Sequence, residues 1–214
     1  MAITKNGILG GFSGKIGNVV GVQLNGENIL RAAPRPSKNP PSEKQRLQRL
    51  KFSLAIEFTQ PFMGITERFF LENTTTGERK NKIISYVLNH VLLIHEQEFT
   101  IEWSKFLLSC GTLSGFHQLE SQATDQELTL HWQDNTHQGF AHPEDEVNLL
   151  IATESLEHIL FLEKIAVRRD LQAKLTFPQW AKTEAIHCYI FLSNPRNQQS
   201  SNSFYLGKYQ TLLL

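Results

Sequence analysis

The sequence predicts an α+β protein in which a small helical region precedes an antiparallel β-sandwich. Two observations lead to this prediction. Over residues 42–95, apolar side chains recur about every four residues, which is close to the period of an α-helix. After about residue 100 the period changes to two, which is the period of a strand. We therefore expect one part over residues 1–99 and a second part over residues 100–214.

The beginning of the chain is rich in glycine and leads into a β-hairpin. Residues 7–21 contain six of the 13 glycines together with Ile, Val and Phe, which favours an extended path with tight turns or close backbone approaches. Asn25-Gly26 follows, and both residue types tolerate the positive φ of a two-residue hairpin turn. The pattern predicts strands over 19–24 and 28–32, and then a proline-rich linker over 34–41.

Three helices are predicted over residues 42–95. Ser42 and Gln45 have the spacing of a capping box, so the first helix should begin there. Its apolar face comprises Leu47, Leu50, Leu54 and Phe58. Pro61 ends or kinks this helix, and a second short helix runs to about Leu71. The third carries the pairs Ile83/Ile84, Val87/Leu88 and Val91/Leu92. We expect the three apolar faces to pack against one another and the hairpin.

Short strand-like runs fill the rest of the chain, separated by clusters of Gly, Pro, Asn and Asp. They are about 105–113, 126–132, 146–153, 159–165, 171–177, 185–193 and 202–209. Seven short strands with a tryptophan, Trp132, on the second are typical of immunoglobulin-like domains. The full prediction is an N-terminal β-hairpin with a small helical region, followed by a seven-stranded immunoglobulin/fibronectin type III-like β-sandwich. This architecture serves many unrelated functions, so it predicts a fold class and no activity.

Four segments resemble an uncharacterised bacterial family that is known as a domain of unknown function. They are the glycine-rich block over 5–21, the arginine-containing helix start over 42–46, the strand Leu-His-Trp-Gln-Asp over 130–134, and the closing Ser-Asn-Ser-Phe-Tyr-Leu-Gly over 201–207. The resemblance covers most of the chain, and the N-terminal block is its most specific part. It implies the architecture only and brings no activity, ligand or catalytic residue.

Charge is distributed unevenly along a chain that is neutral overall. Residues 1–60 hold nine Lys and Arg against three Glu, a net charge of +6, and the remainder carries −6. The candidate interaction surface comprises Arg31, Arg35, Lys38, Lys44, Arg46, Arg49 and Lys51. Arg46 and Arg49 lie off the apolar face of the first helix, so we expect both to be exposed. The surface is either a solvated face, a contact for the acidic half of another copy, or a contact for a nucleic-acid backbone.

No catalytic, cofactor or metal site is predicted. The segment Gly-Gly-Phe-Ser-Gly-Lys over 10–15 lacks the first glycine and the final Ser/Thr of a phosphate-binding loop. The tightest histidine group has no metal-ligand spacing and is expected in solvated loops; it comprises His131, His137 and His142. Cys110 and Cys188 lie in strand-like runs, so we expect buried free thiols.

We expect a non-enzymatic structural or assembly protein whose partner is a second copy or another protein. Nucleic-acid binding through residues 31–51 is the second hypothesis, because Lys and Arg release counterions from phosphate, although Phe52 is the only aromatic nearby. The third is carbohydrate or small-ligand binding on the sandwich, with Trp103, Trp132 or Trp180 as a platform.

The sequence also bears on the compartment. No apolar run approaches the roughly 20 residues that cross a bilayer, so no membrane span is predicted. The N-terminus lacks the apolar stretch of a secretory signal peptide. We therefore expect a cytoplasmic protein, unless a signal-independent route exports it.

Overall fold

The chain divides into two compact units, residues 1–45 and 46–214. The structure, a computed structural model, describes residues 3–4, 11–24, 26–35, 40–72, 74–95, 98–124, 126–182 and 184–210. The division differs from the boundary expected at 99/100. The helices beyond residue 46 share an apolar core with later strands, so the change in sequence period does not separate two cores.

Unit 1 is an antiparallel sheet whose strands follow one another in chain order. The strands are β1 (Ile3–Thr4), β2 (Phe12–Ile16), β3 (Val19–Leu24) and β4 (Glu27–Ala32). The predicted hairpin is confirmed, because β3 and β4 pair continuously from Leu24↔Glu27 to Val19↔Ala32. Gly26, in the turn, has a φ of +85°. Asn25, the other turn residue, lies outside the described part of the chain.

The glycine-rich block makes both a regular strand and a close backbone approach. Within its described part, β2 and β3 are joined by a turn at Gly17 and Asn18. A Cβ atom at Gly21 would lie 2.4 Å from the carbonyl oxygen of Phe12, so only glycine allows β2 and β3 to approach this closely.

The first helix, α1 (Glu43–Thr59), begins at the predicted capping box. The Ser42 N–H donates to Oε1 of Gln45 at 3.0 Å, and the Gln45 N–H donates to Oγ of Ser42 at 3.4 Å. The apolar face is buried only towards the end of the helix. Phe58 is buried and Leu54 half-buried, but Leu50 is 47% exposed.

Two further helices follow the turn that contains Pro61. They are α2 (Met63–Phe69) and α3 (Thr76–Tyr86), and a π turn, Val87–Val91, extends the latter. The period-four pattern of the third helix is confirmed, since its buried apolar side chains are Ile83, Ile84, Val87, Val91 and the adjoining Leu92. No helix among the described residues has the length and apolar character to cross a membrane.

The strands of unit 2 form antiparallel sheets. They are β5 (Leu92–His95), β6 (Glu98–Ile101), β7 (His117–Ala123), β8 (Glu127–Gln133), β9 (Glu146–Thr153), β10 (Ile159–Val167), β11 (Gln172–Thr176), β12 (Ile186–Asn194), β13 (Gln199–Ser200) and β14 (Phe204–Tyr209). One sheet has the order β10-β9-β12-β14, with β13 also pairing with β12, and another has the order β11-β8-β7. β5 and β6 pair with each other. The α+β class is therefore confirmed.

The strand predicted over residues 105–113 is wrong. Residues Trp103–Lys105 form a 3-10 turn, and beyond it only an isolated bridge joins Phe70 to Cys110. Phe106 and Leu108 are apolar because they pack in a core, without a ladder of strand partners. The outer strand of the smaller sheet is β7 instead, whose polar sequence gives no apolar alternation.

Strands β9 and β12 are buried on both faces because each contributes to two apolar cores. On one face, Leu150 and Tyr189 pack with the apolar residues of the helices. On the other face, Ile151 and Ile190 pack with residues of β8 and β11. The helices thus pack on one another, as expected, and also against the sheet that contains β9 and β12.

Candidate functional site

The residues of the predicted interaction surface lie on β4, on the segment after it and on α1. Arg31, Arg35, Lys44, Arg46 and Arg49 are exposed, Lys51 is half-buried, and Lys38 lies outside the described residues. The predicted exposure of Arg46 and Arg49 is confirmed. No ion pair in the described chain involves any of these side chains. Within the described residues, the charges of the exposed members are therefore available to a partner.

The sheet of unit 1 exposes large apolar side chains on both faces. In the described residues 11–35, every apolar side chain is half-buried or exposed. Leu30 is 62% exposed on one face, and Leu24 is 55% exposed on the other. A sheet normally buries at least one face against another layer. This apolar surface is therefore suited to contact with another surface.

A buried ion pair connects three segments of unit 2. Arg168 and Asp145 are fully buried, and the Arg168 guanidinium contacts Oδ2 of Asp145 at 3.0 Å. The same group donates to Oδ1 of Asn135 at 2.6 Å and to the carbonyl oxygens of Ser114 and Gly115 at 2.6 and 3.0 Å. Burial lowers the pKa of Arg168, while the Asp145 carboxylate acts to raise it. All its nitrogen atoms have acceptors, so this group ties loops together and offers no free atom to a ligand.

His187 on β12 lies between two aromatic rings. Its ring stacks on Trp103 with centroids 3.9 Å apart, and its Nδ1 lies 2.8 Å from the Tyr205 hydroxyl. Its buried Nε2 has no hydrogen-bond partner among the described residues. Burial lowers the pKa of His187 to about 4, so the ring is neutral at pH 7. A neutral, closely stacked imidazole with a pKa this low is a poor general base at neutral pH.

A polar cleft of about 550 Å³ lies beside α2 and the end of β12. Arg68 in its wall forms two hydrogen bonds of 2.7 Å to Glu163. Glu72 accepts hydrogen bonds from the N–H groups of Thr112 and Ser200. Arg68 and Glu72 are thus engaged by groups of the protein itself.

The structure also shows the environment of the histidines and cysteines that the sequence analysis considered. His131, His137 and His142 are exposed, and no group of three potential ligands in the described chain could hold a metal ion. Cys188 is a buried free thiol whose pKa burial raises to about 12. Cys110 is only half-buried, which departs from the expectation.

The tryptophans do not form an exposed platform. Trp103 and Trp132 are buried, and Nε1 of Trp132 donates to the carbonyl oxygen of Arg168 at 2.7 Å. Trp180 is half-buried and stacks on His158 with centroids 5.3 Å apart. The protein covers the rings of Trp103 and Trp132, and Trp132 lies in an apolar core, so neither ring is exposed as a platform for a ligand.

Comparison with known proteins identifies the family. Residues 11–207 match the Family of unknown function (DUF6266). The chain belongs to this family. The resemblance to a family of unknown function is thus confirmed, and the DUF6266 match extends over described parts of both units. No curated protein matches the chain significantly.

Among solved structures, the fn3 domain of the human collagen alpha-1(XX) chain is similar to this DUF6266 member. The identity is 17%, the TM-score is 0.34, and the match covers 50% of this chain and 87% of that chain. A similarity at this level does not bear on function.

Proposed function

We propose that this protein is a non-enzymatic structural or assembly protein that self-associates through the sheet of unit 1 and the basic start of α1. The observation that carries the proposal is a sheet that exposes apolar side chains on both faces. Leaving such side chains in water is unfavourable by about 25 cal/mol per Å² of apolar area. Binding of a second copy over these side chains removes their apolar area from water, which favours association.

The charge distribution favours another copy of the chain as the partner. Residues 1–60 carry +6 and the remainder carries −6, so the two regions of different copies attract one another. Arg46 and Arg49 are exposed and have no ion-pair partner in the described chain. A contact between unlike surfaces is head-to-tail, and it produces rings or open filaments.

The buried polar groups of unit 2 support a non-enzymatic role. Arg168 and Asp145 are fully engaged with each other and with neighbouring loops. His187 stays neutral at pH 7, and Cys188 stays a thiol. Catalytic acids, bases and nucleophiles need pKa values near the working pH, and these two values lie far from it.

The scaffold in this proposal is a seven-stranded, fibronectin type III-like sandwich. Its sheets would be β11-β8-β7 and β10-β9-β12-β14, with the short β13 as an addition. The apolar residues shared by β8, β9, β11 and β12 support this reading, since they lie between the two sheets. The helices then form an additional layer on the outer face of the larger sheet.

Light scattering and sedimentation over a range of protein and salt concentrations test the proposal. We expect the wild-type protein to exceed the monomer mass at low salt and to dissociate as salt rises, because salt screens exposed charges within about 10 Å at 0.1 M. Arg46→Glu/Arg49→Glu should lower the average mass. Lys80→Glu/Lys82→Glu is the matched control, since it changes the charge equally at exposed positions of α3 and should leave the mass unchanged.

Nucleic-acid binding is the second candidate. It is favoured by the unpaired cations of α1 together with Phe52, which is 47% exposed and could stack on a base. In this case the protein is a monomer that slows the migration of a labelled nucleic-acid strand in a gel, and its affinity for the nucleic acid falls steeply as the salt concentration rises. A monomer at every concentration that retards neither single strands nor duplexes contradicts both candidates.

A further inference from the structure

Within the described part of unit 1, no strand pairs with the outer edge of β4. Among the described strands, β4 lies at one end of the sheet, and its pairing with β3 runs from Val19↔Ala32 to Leu24↔Glu27 without a register shift. All six of its residues are exposed. The strand contains neither proline nor lysine. A regular, exposed edge of this kind is a template for pairing with another strand.

Three other strands at sheet edges, β7, β10 and β14, carry irregularities that normally block such pairing, whereas the regular edge strand β11 carries a lysine, Lys174. β10 has a register shift between Leu162 and Ala166, where Glu163 and Lys164 are exposed. β7 has a shift between residues 117 and 120. The pairing of β14 with β12 is also shifted. β4 differs from all four because its ladder is regular over its whole length and it carries no lysine.

The direction of the free backbone groups restricts how β4 can pair. The Ala33 N–H donates to the carbonyl oxygen of Asn18 at 2.7 Å, and bonded and non-bonded pairs alternate along an antiparallel ladder. The odd-numbered residues of β4 therefore bond to β3. The even-numbered residues, including Leu30, direct their N–H and C=O groups towards the free edge.

We infer that β4 pairs antiparallel with β4 of a second copy, in a register centred on Ile29. In this register, Ile29 lies opposite Ile29 of the other copy, and each Glu27 lies opposite an Arg31. Glu27, Ile29 and Arg31 are on one face of the strand, as alternate residues must be. The strand is therefore complementary to itself in charge, and the symmetry of the pair produces two oppositely charged contacts.

The neighbouring strand supports the same register. Val22 is the β3 partner of Ile29, so pairing would create a continuous apolar row, Val22–Ile29–Ile29–Val22, across the two copies. The charge contacts lie on either side of this row. If the pairing shifts by one residue in each copy, Leu30 lies opposite Leu30 and Arg31 lies opposite Ile29. Glu27 then no longer faces Arg31, so both charge contacts are lost. Charge complementarity thus selects the register centred on Ile29.

This inference rests on the proposed self-association but concerns a separate, two-fold contact. Disulfide cross-linking of the full chain tests it, with Cys110 replaced by serine and the buried Cys188 retained. Two Cα atoms in a non-bonded antiparallel pair lie about 4.5 Å apart, which a disulfide spans. Ile29→Cys should therefore give covalent dimers on mild oxidation. Leu30→Cys would cross-link instead in the alternative register, and Gln23→Cys, exposed on β3, should give no dimer.

Charge exchange provides a second measurement that needs no cross-link. Glu27→Arg or Arg31→Glu places like charges opposite each other at two points, and should raise the dissociation constant of the pair about tenfold or more. The double variant Glu27→Arg/Arg31→Glu restores opposite charges and should return the constant to within about threefold of the wild type. Circular dichroism should be unchanged in all three variants, because both positions are exposed.

The outcomes separate this inference from the proposed function. Cross-linking at Ile29 together with rescue by the double variant supports the inference. Cross-linking of Leu30→Cys but not of Ile29→Cys overturns the inference. The inference is also overturned if the protein self-associates but neither cysteine variant cross-links and neither charge reversal weakens the association. Both results are compatible with the proposed function. A wild-type protein that is monomeric at every concentration overturns both the inference and the proposed function.

Discussion

Replacing Arg168 with methionine removes the charged centre of a buried network. The guanidinium binds Asp145, Asn135 and the carbonyl oxygens of Ser114 and Gly115, at distances between 2.6 and 3.0 Å. Methionine has a similar length but no donor. The variant therefore leaves a buried carboxylate without its cation and two carbonyl oxygens without their donor.

The expected loss of stability follows from these contacts. Breaking a buried pair by removing one partner costs about 3–5 kcal/mol. Asp145 keeps hydrogen bonds from Nδ2 of Asn194 and the N–H of His142, at 2.9 and 2.8 Å, which continue to stabilise its charge. We therefore expect the lower end, about 3 kcal/mol. At about 2–4 °C per kcal/mol for a chain of this size, Tm should fall by about 6–12 °C.

Urea unfolding of Arg168→Met beside Arg169→Met measures this effect. Arg169 pairs with Glu144, but its side chain is 61% exposed, so its replacement should cost less than about 0.5 kcal/mol. Adding Asp145→Asn to Arg168→Met removes the uncompensated charge and should recover part of the loss. A loss below about 1 kcal/mol for Arg168→Met, or equal losses for the two arginine variants, would refute the reasoning.

Two further predictions concern a buried histidine and two glycines. Burial holds the pKa of His187 at about 4, against 6.5 in the unfolded chain, so the unfolded state binds more protons between these values. The free energy of unfolding should therefore fall by up to about 3 kcal/mol between pH 6.5 and pH 4 in urea titrations. In His187→Phe, the free energy of unfolding should not show this additional fall with pH. If it depends on pH equally in the wild type and the variant, the prediction is contradicted. Gly64→Ala in α2, where nothing lies near the new Cβ atom, should stabilise the protein by about 0.5–1 kcal/mol. Gly26→Ala, at a φ of +85°, should destabilise it by about 1 kcal/mol, and thermal melts with the opposite ranking would disprove both assignments.

Features that depend on neighbouring residues could be predicted from the sequence. The hairpin of β3 and β4 and the capping box of Ser42 and Gln45 occur where the pattern placed them. The exposure of Arg46 and Arg49 was also predictable, since a residue off the apolar face of a helix points away from its core. Turn geometry, capping and helical period each involve only a few consecutive residues, so a short stretch of sequence determines them.

The sequence predicted the basic residues of the candidate interaction surface but not the exposed apolar side chains on β3 and β4. Its basic residues follow from the charge count along the chain. The exposed apolar side chains of the sheet do not, because Leu24 and Leu30 belong to runs that read as ordinary half-buried strands. Only the structure shows that both side chains are exposed and that, among the described strands, β4 lies at the end of its sheet.

The sequence by itself determined the α+β class, the hairpin, the helices and the position of most strands. The tertiary structure decided which apolar runs become strands and which polar groups meet. The run around Phe106 has the composition of a strand but fills a core, whereas the polar β7 is a strand because β8 lies beside it. Arg168 and Asp145 are 23 residues apart, and neither residue type predicts burial on its own. Such contacts depend on the path of the whole chain, because a strand or a buried charge is stable only when a distant segment supplies its partner.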